Sequence, residues 1–249
     1  MKYKSPGALR RALKLPSTAR LALIGTAIDH TIELLWQTAI EQGAWRKIAA
    51  LGFEFSTSLT YSVWERHPRF DQIISQEKNF ATHDILLREG LISIPFLFFH
   101  DDRDYKEIVS WLQIRQDVKK VAVLSQFKQS KRGFEQLLKE MHSLEQELAR
   151  QIHFVVVGPA SAAKIGRILN EFPRVTIVTH QPIFKAIYGR RTANNLSHVK
   201  TDRHITKEQL AVSNVEQYWQ YCTGRRKSAR AKKDSKQAPM TLFYRAQPS

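Results

Sequence analysis

Ile92-Ser93-Ile94-Pro95-Phe96-Leu97-Phe98-Phe99, running straight into His100-Asp101-Asp102-Arg103-Asp104, is the stretch on which the reading of this chain turns. The run is apolar on both alternating faces and far too short to cross a bilayer, so it reads as a strand buried on both sides, the pattern of a central strand in a parallel sheet. Pro95 removes one ladder donor from its middle. The abrupt change to charge at His100 marks the point where a buried strand meets solvent, and Tyr105, Ile108, Val109 and Leu112 then recur at helical spacing.

The same rhythm extends in both directions. Upstream, Arg20 to Thr26 reads as a strand and Ile32 to Ile40 as its helix, with Ile32, Leu35, Trp36 and Ile40 on one face. Phe53 to Leu59 is a half-buried strand, and Pro68-Arg69 opens a long helix through Ile73, Ile74, Phe80, Ile85 and Leu86 that Gly90 closes. Downstream, Val121 to Phe127 is a strand, followed by a helix from Gly133 to Arg150 with Phe134, Leu137, Leu138, Met141, Leu144 and Leu148 as its apolar stripe. Ile152 to Val157 ends at Gly158-Pro159-Ala160-Ser161 and a helix to Asn170, and Val175 to Thr179 ends at His180-Gln181-Pro182.

Strand alternating with helix predicts an α/β fold with a predominantly parallel sheet and crossover helices. An incomplete or distorted (β/α) barrel is the expected form, with an open doubly wound sheet as the alternative. The strands from Phe53 onward are expected to lie parallel in one sheet, because helices rather than hairpin turns separate them. The organisation reads as a basic N-terminal segment (1–19), an α/β core (20–188), a polar loop from Gly189 to Asn195 with a helix from Lys207 to Tyr221 (189–222), and a basic tail expected to be disordered (223–249).

Composition narrows the partner. The chain of 249 residues has a formal net charge of +16, a positive field that attracts polyanions through counterion release, so nucleic acid is the expected partner. Acidic proteins and anionic membrane surfaces are the alternatives. The single cysteine, Cys222, excludes an intramolecular disulfide and a cysteine-based zinc or iron–sulfur site and suits a reducing cytoplasm. Arg10, Arg11 and Lys14 interrupt the apolar pieces near the N-terminus, where a secretory signal would need an apolar core.

Parallel strands deliver the residues at their C-terminal ends to one edge. Glu54, His100, Asp101, Asp102 and His180 are therefore the candidate catalytic residues, a set of carboxylates and imidazoles suited to general acid–base work or to a divalent metal. Asp101 and Asp102 equally suit the N-cap of the following helix. Gly158, Ser161 and Lys164 are candidate phosphate ligands at a helix start, where a tight turn capped by Ser161 explains the same residues. Arg190, Arg191, Arg225, Arg226, Lys227, Arg230, Lys232 and Lys233 are the candidate nucleic-acid contacts. Trp36, Trp45, Trp64 and Trp111 fall within apolar patterns and read as packing residues. No dinucleotide or Walker pattern is present, and no particular cofactor or metal is implied.

Asp29, Glu33 and Trp36, then Glu54-Phe55-Ser56 with Tyr61, Trp64, Pro68 and Arg69, then Ile94-Pro95, follow one another in an order and spacing that resembles a family of unknown function encoded in phages, plasmids and other mobile elements. That family carries an acidic residue with Glu-x-x-Trp, an Asp-Phe-Ser strand, and a later strand with isoleucine and proline. Glu54 stands where the family has aspartate. The resemblance implies an α/β, barrel-like domain of a mobile element and carries no established activity with it. The functional expectation is a nucleic-acid-associated protein that processes its partner at a strand-end cleft. The alternatives are a non-catalytic replication or maintenance accessory protein and a small-molecule enzyme whose basicity is incidental.

Overall fold

A computed structural model describes residues 3–27, 29–39, 41–61, 68–99, 101–125, 130–159, 161–200 and 205–243, with Asp29 and residues 226–243 described by their backbone. In chain order the elements are α1 (Pro6–Ala12), β1 (Ala22–Leu23), α2 (Asp29–Ala39), α3 (Ala44–Ala49), β2 (Phe55–Thr57), α4 (Arg69–Arg88), β3 (Ser93–Ile94), β4 (Phe96–Leu97), α5 (Asp102–Ile114), β5 (Lys120–Leu124), α6 (Lys131–Leu148), β6 (His153–Val157), α7 (Ala162–Glu171), β7 (Val175–Val178), α8 (Gln181–Ile187), β8 (Arg190–Thr192), β9 (His198–Lys200) and α9 (Lys207–Phe243). The fold is α/β, with parallel strands alternating with helices. It divides into two units: Met1–Leu124 with Ser143–Ile152, and Ser125–His142 with His153–Ser249.

In the first unit β1, β2 and β3 form a parallel sheet in that order, with Ala22 opposite Phe55 and Thr57 opposite Ile94. The run from Ile92 to Phe99 is two short strands, not the single strand expected from its apolar pattern. β3 pairs with β2, whereas β4 pairs in parallel with β5, Phe96 opposite Ala122. The parallel direction holds, but these strands do not share one sheet. Pro95 sits at the break because it has no N–H to continue the ladder. Its carbonyl accepts from Ala122 N at 2.8 Å.

Side chains complete what the ladder loses there. Phe96 N donates to Ser58 Oγ at 2.8 Å, Asn79 Nδ2 donates to the Phe96 carbonyl, and Ser58 Oγ donates to Asn79 Oδ1. Asn79 is fully buried, and a buried amide of this kind is stable only when its donors and acceptor are paired. It belongs to a polar stripe on α4 made of Gln72, Ser75, Asn79, Thr82 and His83, all buried, while Ile73 and Ile74 on the same helix are exposed. The apolar core beside it gathers Ile32, Trp45, Leu59, Tyr61, Leu86 and Leu91. Trp111 stacks on Phe80 with ring centroids 4.2 Å apart.

In the second unit β6 and β7 pair in parallel, from Phe154 opposite Val175 to Val157 opposite Val178. Phe154, Val155, Val156 and Val157 are all buried, as are Phe134, Leu137, Leu138 and Met141 of α6 and Ile165, Ile168 and Leu169 of α7. Gly189 to Asn195, expected as a loop, contains β8, which forms an antiparallel hairpin with β9. Helix α9 runs on to Phe243, so the backbone of 223–243 is helical where disorder was expected. Lys, Arg and Ala, all strong helix formers, make up ten of those 21 residues, so low apolar content did not preclude a helix.

Two predictions follow from the packing of the first unit. An added Cβ at Gly25 would lie 2.3 Å from the Ser58 carbonyl oxygen, backbone against backbone, while Gly25 N already donates to Thr57 Oγ1 at 2.7 Å. Gly25→Ala should therefore destabilise by roughly 1–3 kcal/mol. Gly7→Ala, in a helix with only a flexible arginine nearby, should be neutral or stabilising. Urea midpoints at constant slope measure both.

His83 is buried, finds no hydrogen-bond partner for either ring nitrogen among the described residues, and meets the Trp111 ring edge-on. Burial pushes its pKa down to about 4, with the Asp84 carboxylate opposing and Arg115 assisting. The unfolded chain takes up a proton below about pH 6.5 and the folded chain does not, so stability falls as pH drops through that window. Between pH 7 and 5 the loss from this ring should be about 2 kcal/mol. Replacing it in His83→Leu should remove that component from denaturation midpoints measured across the range.

Candidate nucleic-acid interface

Between Glu171 and Asp202 the chain carries no carboxylate side chain, while Arg174, Lys185, Arg190, Arg191 and Lys200 all fall there. The second unit folds most of this stretch into three consecutive pieces, α8, β8 and β9. His180 caps α8 with Gln181-Pro182 as its first residues, a position that suits proline because its missing N–H would be unpaired anyway. Gly189, at φ 64°, lies in the left-handed region and turns the chain out of α8 into β8.

A single side chain on α9 holds these pieces. Asn214 is fully buried; its Nδ2 donates to the carbonyls of Pro182 at 3.0 Å and Arg190 at 2.9 Å, and its Oδ1 accepts from Thr192 N at 2.6 Å. One amide thus ties the start of α8 and the start of the hairpin to α9. Leu210 and Tyr218, one turn to either side of Asn214, are buried on the same face, and Tyr221 donates from its hydroxyl to the Ala162 carbonyl at 3.0 Å. Sequence reading did not single out Asn214; a polar residue one turn from Leu210 and Tyr218 in an otherwise apolar stripe was the available signal.

The hairpin places Arg190 opposite Lys200 and Arg191 opposite Val199. Its loop is closed by Ala193 N donating to the Ser197 carbonyl at 2.9 Å and by Ser197 N donating to Asn195 Oδ1 at 3.0 Å. Beside it opens a pocket of about 550 Å³ lined by Arg191, Asn194, Asn195, Ser197, Ser213 and Gln217. A cation, three amides and the hydroxyls of Thr192, Ser197 and Ser213 suit phosphate and base edges, since amides pair bidentately with bases and arginine with phosphate. The local field is positive: burial lowers the pKa of His198, and Lys185 and Arg190 lower it further.

The other sequence candidates have local structural roles. Glu54 precedes β2 and so lies at the N-terminal end of its strand, opposite to the edge expected; even in a strand from Phe53 to Leu59 it would be the second residue, and a parallel strand delivers only its last residues to the C-terminal edge. Its carboxylate pairs with Arg20, which holds its pKa down. Asp101 caps α5, accepting from Arg103 N at 2.8 Å and Asp104 N at 3.0 Å, and these backbone bonds lead the lowering of its pKa. Asp102 is the first residue of α5 and is exposed. His100 lies outside the described residues. His180 is exposed and meets Phe184 edge-on with centroids 5.6 Å apart.

At the expected phosphate turn, Gly158 N donates to the Val178 carbonyl at 2.8 Å and Ser161 Oγ accepts from Lys164 N at 3.3 Å. The Lys164 ammonium sits 5.2 Å from the Phe134 ring centre, with its pKa lowered by burial. Two of the groups that would hold an anion there are thus already engaged by the fold. Arg225 stacks over Tyr221 at 5.3 Å, and Arg226, Lys227, Arg230, Lys232 and Lys233 lie along the backbone of α9, their side chains outside the description.

Three residues of the family resemblance, Glu33, Trp36 and Tyr61, meet in the first unit around Lys78. Its ammonium bonds Glu33 at 2.7 Å and lies 6.0 and 5.4 Å from the Trp36 and Tyr61 rings, so this group is a packed ion pair beneath aromatic rings. Among the described residues no group of three or more His, Cys, Asp or Glu side chains is placed to hold a metal, and no helix is long and apolar enough to cross a membrane.

The Asn214 tether makes a testable prediction. Asn214→Ala leaves the Thr192 N–H and the Pro182 and Arg190 carbonyls short of partners, at about 1–3 kcal/mol for each buried group left unpaired. Denaturant midpoints should fall accordingly, and hydrogen exchange at the Thr192 amide should lose protection well before that of Phe154. Compared with known proteins, the chain matches no family model and no curated protein, and the case for its function rests on the chemistry of these residues.

Proposed function

We propose that this protein binds nucleic acid through the surface formed by α8, the β8–β9 hairpin and the basic continuation of α9, and that it serves a mobile element as an accessory protein. The observation that carries the reading is the carboxylate-free stretch between Glu171 and Asp202, folded so that Arg191 lines a pocket together with amide and hydroxyl side chains. Four carboxylates elsewhere are engaged by cations: Asp84 and Asp117 by Arg115, and Glu135 and Glu171 by Arg167. A segment rich in cations and free of acids is the electrostatic footprint that attracts a phosphate backbone, independent of sequence and weakened by salt, and α9 adds Glu208, Glu216 and Asp234 beside its own cations. Binding is the reading supported here over processing, because Glu54 and Asp101 each have a structural partner that accounts for their placement.

The test is a salt titration. Affinity of the full chain for a generic oligonucleotide should fall linearly on logarithmic axes as salt rises, and Arg190→Ala with Arg191→Ala should weaken binding and reduce the slope by roughly one per phosphate contact removed. A chain ending at Arg225, beyond the Tyr221 contact that packs α9 on α7, should stay folded and show a shallower slope still. Equal affinity and slope across all three proteins would remove the proposal.

A further inference from the structure

Helix α8 buries Pro182 and Ala186 and exposes Ile183, Ile187 and Phe184, the last 41% exposed, and its C-cap Tyr188 is 66% exposed. His180, Phe184 and Tyr188 follow at intervals of one helical turn, so their rings form a ladder along the exposed face. The centroids are 5.6 Å apart from His180 to Phe184, which meet edge-on at 87°, and 4.8 Å apart from Phe184 to Tyr188, which are tilted by 56°, so the rings touch one another and offer their outward faces. Cations flank it: the Lys185 ammonium lies 5.9 Å from the Phe184 ring, and Lys185 and Arg190 both act on His198 across the hairpin. Holding three rings and two isoleucines in water is unfavourable without an occupant, at about 25 cal/mol for each Å² of apolar surface.

We propose that this ladder is a stacking platform for unpaired bases and that the nucleic acid the protein prefers is single-stranded. The inference rests on the nucleic-acid reading above and adds the strandedness. In a duplex every base is already stacked and paired, so exposed ring faces gain nothing from it, whereas a single strand can splay its bases onto the outward ring faces of Phe184 and Tyr188 while its phosphates lie on adjacent cations. Charge complementarity selects this occupant: the apolar ladder sits within a segment with no carboxylate, which matches a polyanion with apolar faces. His180, which sequence placed among the catalytic candidates, becomes the first rung.

The experiment compares an unstructured thymidine oligonucleotide, the matching uridine oligonucleotide and a blunt duplex of equal length, by fluorescence anisotropy with the full chain at several salt concentrations. The full chain should prefer both single strands to the duplex. Phe184→Ala and Tyr188→Ala should each weaken single-strand binding on the order of 10-fold while leaving the salt slope and the duplex affinity unchanged. Tyr188→Phe should retain binding, and Tyr188→Trp should bind and show quenched fluorescence on the single strand. Thermal melts of the four variants that match the parent exclude misfolding as the cause.

Single-strand affinity untouched in the alanine variants, or single-strand and duplex affinities falling together, overturns the stacking platform. Preference for the duplex by the full chain also overturns it, while the nucleic-acid reading stands. Failure of the full chain to bind any of the three overturns both, and leaves the ladder as the seat of a protein partner.

Discussion

Buried backbone groups must be paired, and in each unit a fully buried asparagine meets that demand where regular structure stops. Asn79 does so at the Pro95 break, bonding the Phe96 carbonyl and Ser58 so that the end of one strand pair and the start of another are held by α4. Asn214 does so at the entry to the hairpin, bonding Pro182, Arg190 and Thr192. Each amide offers two donors and an acceptor at one planar tip, which suits a junction where several backbone groups arrive from different directions. Low dielectric makes such a junction strong when complete and costly when any partner is missing.

The hairpin tethered by Asn214 belongs to the same chain segment that lacks carboxylates. The tether therefore has a functional consequence as well as a structural one: it fixes Arg190 and Arg191 on a strand, where their spacing is set by the ladder with Val199 and Lys200. On the proposed reading, a cationic hairpin held beside a polar pocket would add defined positions for a phosphate or a base edge to the sequence-tolerant affinity of a basic segment. Lys164 and His198 report the electrostatic environment in two ways, the first losing charge affinity to burial and the second to burial together with neighbouring cations.

The alternation of strand and helix was legible in the sequence because most of the longer helices carry an apolar stripe or a clear cap. On α6, Phe134, Leu137, Leu138, Met141 and Leu144 are buried as their spacing required, and Asp101 and Ser161 cap α5 and α7. Helix α4 was legible as a helix but not in its facing, since Gln72, Ser75, Asn79, Thr82 and His83 line its buried side. Hydrophobic periodicity cannot report a polar stripe that is buried only because specific partners satisfy it. The short helices α1, α3 and α8 and the hairpin strands escaped for a related reason: segments of three to seven residues carry too few periods to register.

Legible before any folding are the α/β rhythm, the direction of the strand pairs joined through helices, and the excess of positive charge. Those properties are written in local periodicity and in counts of residues, which no packing arrangement can alter. The tertiary structure decided where the apolar run at Pro95 divides, that Glu54 pairs with Arg20 instead of joining the residues beyond the strand ends, and that α8 turns His180, Phe184 and Tyr188 outward as a ladder. Each of these depends on which groups are left for a side chain to pair or pack with once distant segments meet, and that remainder exists only in the folded chain.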